Sequence, residues 1–368
     1  MKNLETLIQE LCPDGVEFVK LGDVCEIKTG KGITQKDCSE SSKYPVYSGG
    51  KEPMGYYKEF NRNANTVTVS RVGAYAGFVN YVTEDFYLND KCFSVLPQKD
   101  EDINSKYLYY KLKALECSII NMQSGGGVPT INTKKVGSLE IPLPPIAVQT
   151  EIVRILDKFT SLEAELEAEL DCRKRQYEYY RDKLLSFDNV GGQEVEWKKM
   201  SEVCKIMNGR DYKHLSEGDI PVYGSGGIMT YVNESAYNKP SLLIPRKGSI
   251  GNLFYVETPF WTVDTLYWTK IDECLIVPKF FYYYMTTKDL TKLNMAAGVP
   301  SLTQSMLYKI KIPIPSLEEQ HRIVSILDRF KSLTTSLQSG LPAEIAARRQ
   351  QYEHYRDKLL TFKRKGAA

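Results

Sequence analysis

The residues of this sequence that could do chemistry are not spaced as catalytic or metal-binding groups usually are. The chain has eight cysteines and three histidines, and no two cysteines form the CxxC pair that structural zinc sites typically use. Glu196-Trp197-Lys198, with Asp188 upstream, has the acidic-x-Lys spacing of some nucleases, but an earlier, related segment has Val19 in place of the lysine. A solvated strand explains so short a pattern better than a nuclease site does.

A methyltransferase site is also missing. An independent DNA methyltransferase needs a glycine-rich cofactor loop after a strand and a catalytic (N/D/S)PP(Y/F) tetrapeptide, whereas the one PP pair here is Pro144-Pro145 in LPPI. Without these groups the site chemistry of methyl transfer is absent. We therefore expect a chain that is not itself an enzyme and that binds no metal or cofactor of its own.

Basic and polar residues do gather in glycine-bounded loops. Arg and Lys can meet guanine edges or phosphates, and Asn or Gln can meet adenine. An ordinary turn explains any one of these loops as well, because Gly and Asn dominate turns, but their recurrence in both halves of the chain favours DNA binding. The candidate DNA-binding residues are Lys28, Lys31, Tyr47, Ser48, Arg71, Thr130 and Asn132 in the first half and Asn208, Arg210, Tyr223, Ser225, Arg246, Lys247, Thr303 and Gln304 in the second.

The composition is that of a globular protein of two or three domains. The chain has 368 residues, 42% apolar and 26% charged, and a net charge of only +2. DNA-binding chains are usually more basic, so any basic surface must be segregated from acidic surface elsewhere. The N-terminus has no cleavage signal and no segment approaches the roughly 20 apolar residues of a membrane span. We expect a cytoplasmic protein with reduced thiols.

Two blocks of the sequence occur twice. Residues 141–162 and 312–333 are identical at 12 of 22 positions with an offset of 171, and residues 176–185 and 351–360 at nine of ten with an offset of 175, so the second copy holds four extra residues. The intervening segments are related more loosely, as in 16–30 and 195–209. The near-identical segments indicate one function that is present twice, whereas the variable segments indicate two related but different functions.

The repeated segments read as long helices that begin after prolines. Apolar residues recur every three, four or seven positions, as in a coiled coil. The first helix could run from Ile146 to Phe187, about 63 Å, and Ser316 with Glu319 is a candidate capping box for the second. The predicted seam consists of Leu156, Phe159, Leu162, Leu166, Leu170, Tyr177, Tyr180, Leu184, Leu327, Phe330, Leu333, Leu337, Tyr352, Tyr355 and Leu359.

The apolar face of each helix must be buried away from water. The simplest arrangement packs the two helices against each other as an antiparallel rod. The alternative is that each helix folds back on its own domain. A break or kink is expected at Ser339-Gly340-Leu341-Pro342, where proline interrupts the helical hydrogen bonds; whether the second helix continues through Pro342 is left open. We also expect the N-terminal segment to lie near the end of the C-terminal helix.

At this point the sequence resembles a known family. The alternation of variable and repeated segments, the IP(L/I)P(P/S)…Q…IV.ILD.F block and the QYE.YRDKLL block are similar to those of the specificity subunits of type I restriction–modification systems. The resemblance covers essentially the whole chain. It implies two target recognition domains, each reading one half of a split, asymmetric DNA target, and repeated helices whose length sets the spacer between the halves.

The resemblance also implies partners. The repeated helices would dock two modification subunits, which carry S-adenosylmethionine and methylate adenine, and two motor–nuclease subunits that use ATP and Mg would complete the restriction enzyme. The helical surfaces of residues 150–187 and 321–362 are the candidates for this docking. A non-catalytic coiled-coil scaffold or another kind of DNA-binding protein is the alternative.

The expected fold class is α+β, with two globular mixed α/β target recognition domains separated by a pair of long antiparallel coiled-coil helices in a pseudo-two-fold internal repeat. The expected divisions are residues 1–145 for the first recognition domain with its N-terminal segment, 146–188 for the first helix, 189–316 for the second domain and 317–364 for the second helix.

Overall fold

The chain folds into two compact units that share one long helix. The structure, a computed structural model, describes residues 2–124, 127–187, 195–293, 300–336 and 339–366. Unit 1 is Met1–Leu166 together with Ile345–Ala368, and unit 2 is Glu167–Glu344. The boundary between the units therefore falls inside a helix.

Short strands form the domain of each unit, and long helices follow each domain. The described helices are α1 (Lys2–Leu11), α2 (Leu21–Val24), α3 (Ser105–Ala114), α4 (Glu116–Ile120), α5 (Thr133–Gly137), α6 (Ile146–Leu185), α7 (Met200–Val203), α8 (Pro278–Thr286), α9 (Gln304–Leu307), α10 (Leu317–Thr335) and α11 (Leu341–Leu359), with 3-10 turns at Gln35–Asp37 and Leu290–Leu293. The described strands are β1 (Phe18–Lys20), β2 (Cys25–Thr29), β3 (Tyr44–Tyr47), β4 (Tyr56–Tyr57), β5 (Thr66–Ser70), β6 (Val79–Val82), β7 (Tyr87–Leu88), β8 (Cys92–Pro97), β9 (Glu140–Pro142), β10 (Glu196–Lys199), β11 (Cys204–Asn208), β12 (Ile220–Gly224), β13 (Gly227–Val232), β14 (Ser241–Pro245), β15 (Phe254–Val256), β16 (Trp261–Thr262), β17 (Leu266–Ile271) and β18 (Lys311–Ile314).

The two domains have the same topology. In unit 1 the sheets have the strand orders β2-β8-β5-β6, β4-β3-β7 and β1-β9, and in unit 2 they have the orders β11-β17-β14-β15, β13-β12-β16 and β10-β18. Each middle sheet contains one parallel pair, β3 with β7 and β12 with β16. The internal repeat that the sequence predicts therefore extends through the variable segments.

The two repeated segments differ in continuity. The helix α6 is unbroken over 40 residues, about 60 Å at 1.5 Å per residue. The second segment is divided into α10 and α11, and α11 begins at Leu341, where a break was expected. Gly340, which precedes α11, has a positive φ of 89°, and proline is tolerated in the first turn of a new helix. Ser316 caps α10, accepting a hydrogen bond from the Glu319 N–H at 3.2 Å.

Within each unit, the two repeated segments pack side by side and antiparallel. In unit 1, the ring of Phe159 stacks on that of Tyr355 at 5.4 Å, and Glu163 further along α6 pairs with Arg349 earlier in α11.

In unit 2, Tyr180 of α6 stacks on Phe330 of α10 at 5.6 Å, while Arg173, earlier in α6, shares a cleft with Leu333, later in α10. The two ring pairs occupy equivalent positions of the repeat, since Phe330 matches Phe159 and Tyr355 matches Tyr180. The expected antiparallel helix pair is thus present, and its contacts are repeated.

The residues at the contact between the paired helices follow the coiled-coil spacing more strictly than the predicted seam residues do. Leu162 and Leu333 are 45% and 48% exposed and lie outside it. Alternating steps of four and three from Phe159 and Phe330 reach Glu163 and Thr334 instead, and Thr334 is buried. The reason is geometric, because one residue along a helix turns the side chain by about 100°.

The other predicted seam residues contribute to different degrees. Tyr180 is 41% exposed although it stacks, and Leu337 lies outside the described residues. The buried members are Leu156, Leu327 and Leu359, and the partly buried ones are Phe159, Leu166, Leu170, Tyr177, Leu184, Phe330, Tyr352 and Tyr355.

A buried glutamine joins the first turn of each helix to its domain. Gln149 of α6 donates from Nε2 to the carbonyls of Asp102 (2.9 Å) and Pro144 (2.8 Å), and its Oε1 accepts from the Asn104 N–H at 2.9 Å. Its side chain is fully buried. We call this arrangement the glutamine clamp.

Unit 2 repeats the clamp. Gln320 donates to the carbonyls of Leu275 (3.1 Å) and Pro315 (2.9 Å), and accepts from the Val277 N–H at 2.7 Å. It is also fully buried. Each clamp ties the segment before the domain helix (α3 or α8) to the start of α6 or α10.

An aspartate two turns further on makes the second polar contact between helix and domain. Asp157 accepts from Tyr110 Oη at 2.6 Å and from Lys106 Nζ at 2.8 Å. In unit 2, Asp328 accepts from Tyr283 Oη at 2.5 Å and Lys279 Nζ at 2.9 Å. These contacts account for the Q and D of the repeated block.

The N-terminal segment meets the end of the C-terminal helix, as expected. The Val16 N–H donates to the Lys363 carbonyl at 2.8 Å, and the Lys365 N–H donates to the Val16 carbonyl at 2.9 Å. Arg364 also pairs with Glu140. Unit 1 is thus completed by residues from opposite ends of the sequence.

Among the described helices, none combines the length and the apolar composition that a membrane span requires.

The clamp predicts a specific stability loss. Replacing Gln149 by leucine keeps the volume but leaves one N–H and two carbonyls without this partner, and each buried unsatisfied group costs about 1–3 kcal/mol. We expect Gln149→Leu to lower the free energy of unfolding by about 3 kcal/mol or more in urea titrations followed by circular dichroism. Gln350→Leu, on the exposed face of α11, is the control and should change it by less than about 0.5 kcal/mol. Equal effects of the two substitutions would contradict the clamp.

Candidate nucleic-acid interface

Five loops of unit 1 come together where the strands of its two larger sheets end. Together they form loop cluster 1, residues 29–31, 47–49, 71–73, 88–92 and 129–132. Backbone hydrogen bonds join them in pairs: Gly30 N–H to Cys92 O (3.1 Å), Lys31 N–H to Leu88 O (2.9 Å), Asn89 N–H to Tyr47 O (2.9 Å), Arg71 N–H to Lys91 O (2.7 Å), Ile131 N–H to Arg71 O (2.8 Å) and Gly73 N–H to Pro129 O (3.0 Å).

Unit 2 builds the same frame from different residues. Loop cluster 2 consists of residues 208–210, 223–225, 246–248, 262–266 and 300–304. Its matching bonds are Gly209 N–H to Leu266 O (3.0 Å), Arg210 N–H to Thr262 O (2.8 Å), Val263 N–H to Tyr223 O (3.0 Å), Arg246 N–H to Thr265 O (2.8 Å), Leu302 N–H to Arg246 O (2.9 Å) and Gly248 N–H to Pro300 O (3.1 Å). Six bonds recur while most side chains change, so the backbone is a common support for variable surface groups.

Two glycines let the loops approach closely enough for this frame. A Cβ placed on Gly30 would overlap the carbonyl of Leu88, and one on Gly209 would overlap that of Val263. Only a residue without a side chain fits at these positions. The glycines in the sequence pattern are therefore needed for backbone contact in both clusters.

Most of the candidate residues of unit 1 lie on loop cluster 1. Lys31 and Asn132 are exposed, and Tyr47, Arg71 and Thr130 are half-buried. Arg71, Thr130 and Asn132 line a cleft of about 400 Å³ together with Lys135. The Asn132 Oδ1 caps α5 by accepting from the Lys134 N–H at 2.8 Å, which leaves its amide nitrogen available to a ligand.

Two candidates of unit 1 are placed differently. Lys28 lies inside β2, opposite Ser94 of β8, and is 3.6 Å from Glu26 on the same face of the strand. Ser48 is buried, and its carbonyl accepts from the Cys92 thiol. We expect Ser48 to support the loop and not to contact DNA.

The candidates of unit 2 all lie on loop cluster 2. Gln304 Nε2 donates to Asn208 Oδ1 at 3.1 Å, and Thr303 Oγ1 caps α9 by accepting from the Met306 N–H at 3.3 Å. The exposed members are Asn208, Arg210, Lys247 and Thr303, and the half-buried members are Tyr223, Ser225, Arg246 and Gln304.

The positive charges and hydrogen-bonding groups of the two loop clusters suit a ligand that is a polyanion and also carries hydrogen-bonding groups. Arg71 and Arg246 occupy the same place in the two frames, and so do Lys31 and Arg210. Partial burial raises the pKa of both Tyr47 and Tyr223 above the usual tyrosine value, so their hydroxyls remain protonated donors at neutral pH.

Sequence reasoning missed one of the five loops in each cluster. Residues 88–92 and 262–266 supply six of the twelve carbonyls and two of the twelve N–H groups of the two frames. The sequence does contain a sign that these two loops are equivalent, because Asp90 and Asp264 match at an offset of 174 within otherwise different stretches. Lys135, which shares the cleft with Arg71, was missed as well.

Comparison with known proteins agrees with this duplicated architecture. Two stretches of the chain, residues 13–171 and 193–347, match the family model described as the type I restriction modification DNA specificity domain. The chain belongs to this family. Its two specificity domains correspond to the two halves of the internal repeat.

Relatives of full length carry the same description. A Haemophilus influenzae protein named as a type I restriction enzyme specificity subunit is 31% identical, over 98% of this chain and 100% of its own. The Escherichia coli EcoR124I/EcoR124II specificity subunit is also 31% identical, over 98% of this chain and 97% of its own.

Solved structures share the fold of this specificity subunit. The S subunit of a type I restriction–modification system from M. genitalium has a TM-score of 0.63 at 21% identity, covering 94% of this chain and 96% of that one. A subunit from Thermoanaerobacter tengcongensis has a TM-score of 0.52 at 18% identity, covering 95% and 97%.

The frame predicts that one glycine of loop cluster 2 is far less replaceable than a neighbour. Gly209→Ala would press a methyl group into the Val263 carbonyl, and such overpacking costs about 1–3 kcal/mol. Gly226→Ala is the control, because its added Cβ would meet nothing within 4 Å. Urea unfolding should show a lower midpoint for Gly209→Ala and an unchanged one for Gly226→Ala. Two unchanged midpoints would contradict the close approach.

Proposed function

We propose that this specificity subunit is the non-catalytic DNA reader of a type I restriction–modification complex. Loop cluster 1 contacts one half of a split, asymmetric target, and loop cluster 2 contacts the other. The single observation that carries the proposal is the frame of six backbone hydrogen bonds that recurs with different side chains. Two related domains that bind different DNA sequences require a constant backbone frame that carries different side chains.

The variable side chains supply the contacts. An arginine reads guanine through O6 and N7 in the major groove, where base pairs are distinguishable, and the equivalent Arg71 and Arg246 are placed for this role. Lys31, Arg210 and Lys247 are exposed cations beside them, suited to phosphates that fix the register.

The repeated helices would set the spacer and dock the modification subunits. Both readers must face their grooves on one duplex, whose helical repeat is about 34–36 Å, so a stiff helical connection fixes the distance between half-sites. Exposed apolar side chains recur on these helices: Ile146 and Leu317 are 40% and 41% exposed, and Leu162 and Leu333 are 45% and 48% exposed.

Exposed apolar side chains at matching positions in each unit suit two copies of one partner. S-adenosylmethionine on the modification subunits, and ATP and Mg on two motor–nuclease subunits, would then supply the chemistry. A solved structure that describes complex assembly of the type I R-M system contains a chain with a TM-score of 0.59 at 17% identity, covering 94% of this chain and 97% of that one.

The proposal predicts that each arginine affects one half of the target. Mapping methylated adenines across a genome should reveal a split motif when the chain acts with its modification subunits. Arg71→Ala should relax the motif in one half, and Arg246→Ala in the other, each losing about 1–3 kcal/mol of discrimination at one position. Lys58→Ala, an exposed cation outside the clusters, is the control. A continuous motif, or arginine variants that affect the same half, would refute the assignment.

A second prediction concerns salt. With a net charge of +2, we expect the partner subunits to make many of the phosphate contacts. The slope of log affinity against log salt counts neutralised phosphates, so it should be steeper for the chain with its modification subunits than for the chain alone. Equal slopes in fluorescence anisotropy titrations would contradict this expectation.

A further inference from the structure

The β12–β13 hairpin of unit 2 ends in an exposed apolar tip. Tyr223 pairs with Ile228, and Gly224 with Gly227, so that Ser225 and Gly226 form a two-residue turn. Beyond the turn, Ile228 is 51% exposed and Met229 is 58% exposed. We call residues 225–229 the hairpin tip.

The hairpin tip is fastened to loop cluster 2. The Ser225 carbonyl accepts from Asn252 Nδ2 at 3.4 Å, and a Cβ on Gly248, directly after Arg246 and Lys247, would lie 3.4 Å from Ser225 Oγ. The apolar side chains therefore sit beside the basic loop that we propose to read DNA.

The position of Met229 is defined by its surroundings. Its sulfur lies across Gly224, so close that a Cβ there would meet it at 2.5 Å. Ile228 and Met229 also line a cleft of about 790 Å³ with Asp264 and Thr265 of loop cluster 2. Whatever enters this cleft touches apolar and polar groups together.

The same place in unit 1 has different chemistry. Tyr56 and Tyr231 pair with the equivalent prolines Pro45 and Pro221, so Met54 matches Met229 in strand register. Met54 is half-buried, and the turn before it carries the charged Lys51 and Glu52. Two neighbouring apolar side chains that are both more than half exposed are therefore particular to unit 2 at this place.

A DNA duplex offers one apolar group in its major groove, the 5-methyl group of thymine. We infer that Ile228 and Met229 recognise a thymine methyl group in the half-site read by unit 2. This inference rests on the proposed function, and it names the base-edge chemistry that one of the two readers uses. A phosphate or sugar contact would leave both side chains without an apolar partner.

The test removes the methyl group from the DNA and the apolar side chains from the protein. Duplexes carry the mapped target, with each thymine of the half-site affected by Arg246→Ala replaced singly by 2′-deoxyuridine. The wild-type chain with its modification subunits should bind one or two of these duplexes about fourfold more weakly, since one buried methyl group contributes about 0.8 kcal/mol. The double variant Ile228→Ser with Met229→Ser should bind the thymine duplex more weakly and be indifferent to deoxyuridine at those positions.

Matched controls separate the outcomes. Met54→Ser, in unit 1, should keep the wild-type response in the unit 2 half-site, and an unchanged urea midpoint should show that the double variant folds. The inference is overturned if the wild-type complex ignores every deoxyuridine, if the double variant keeps the response, or if the half-site has no A·T pair. Failure of the proposed function looks different, because the wild-type complex would then bind the target no better than a scrambled duplex.

Discussion

A fully buried amide at the start of each long helix is the contact on which the rest of the molecule depends. Gln149 and Gln320 each use both ends of the side-chain amide, donating two hydrogen bonds and accepting one from the domain backbone. Buried polar groups are costly unless they are satisfied, so this arrangement tolerates few alternative geometries. It ties the direction of the helix to the orientation of the domain, and a reader at a set distance is useful only if its orientation is set as well.

The loop clusters show how one backbone frame accommodates two sets of side chains. Backbone hydrogen bonds carry no side-chain information, so Arg210 can replace Lys31, and Val263 can replace Asn89, without disturbing the frame. The glycines cannot vary in this way, since Gly30 and Gly209 sit against carbonyl oxygens. The side chains that differ include buried ones, such as Asn89 and Val263, and exposed ones, such as Lys31 and Arg210. The exposed ones are the part that a DNA target would meet.

The sequence predicted what periodicity and repetition control. The starts of α6 and α10, the break before Leu341, and the meeting of Val16 with Arg364 all follow from proline positions or from the order of the repeats. The seam is less predictable: the apolar side chain of Leu162 favours this residue as a seam position, but the 4–3 spacing places Glu163 there, paired with Arg349. A helical pattern gives the face of a helix to within one residue, and composition alone cannot choose between neighbours.

Contacts between distant loops were beyond sequence reasoning. Residues 88–92 contact three other segments of loop cluster 1 through backbone atoms, and backbone contacts leave almost no trace in residue types. The burial of Ser48 is also decided by its fit against Cys92 across 44 positions. Local sequence predicts such loops as turns, and only the folded sheet edges bring them together.

The division of α6 between the units has a consequence for folding during synthesis. Unit 2 is one continuous stretch, Glu167–Glu344, whereas unit 1 needs Ile345–Ala368 to complete its core. Domains commonly form in the order in which the ribosome releases them, but here the apolar cluster of the first domain, which includes Leu4 and Ile152, lacks its members Leu359 and Leu360 until they are synthesised. The second domain can finish before the first, and the nascent chain holds an unfinished apolar surface until residues 345–366 have been synthesised.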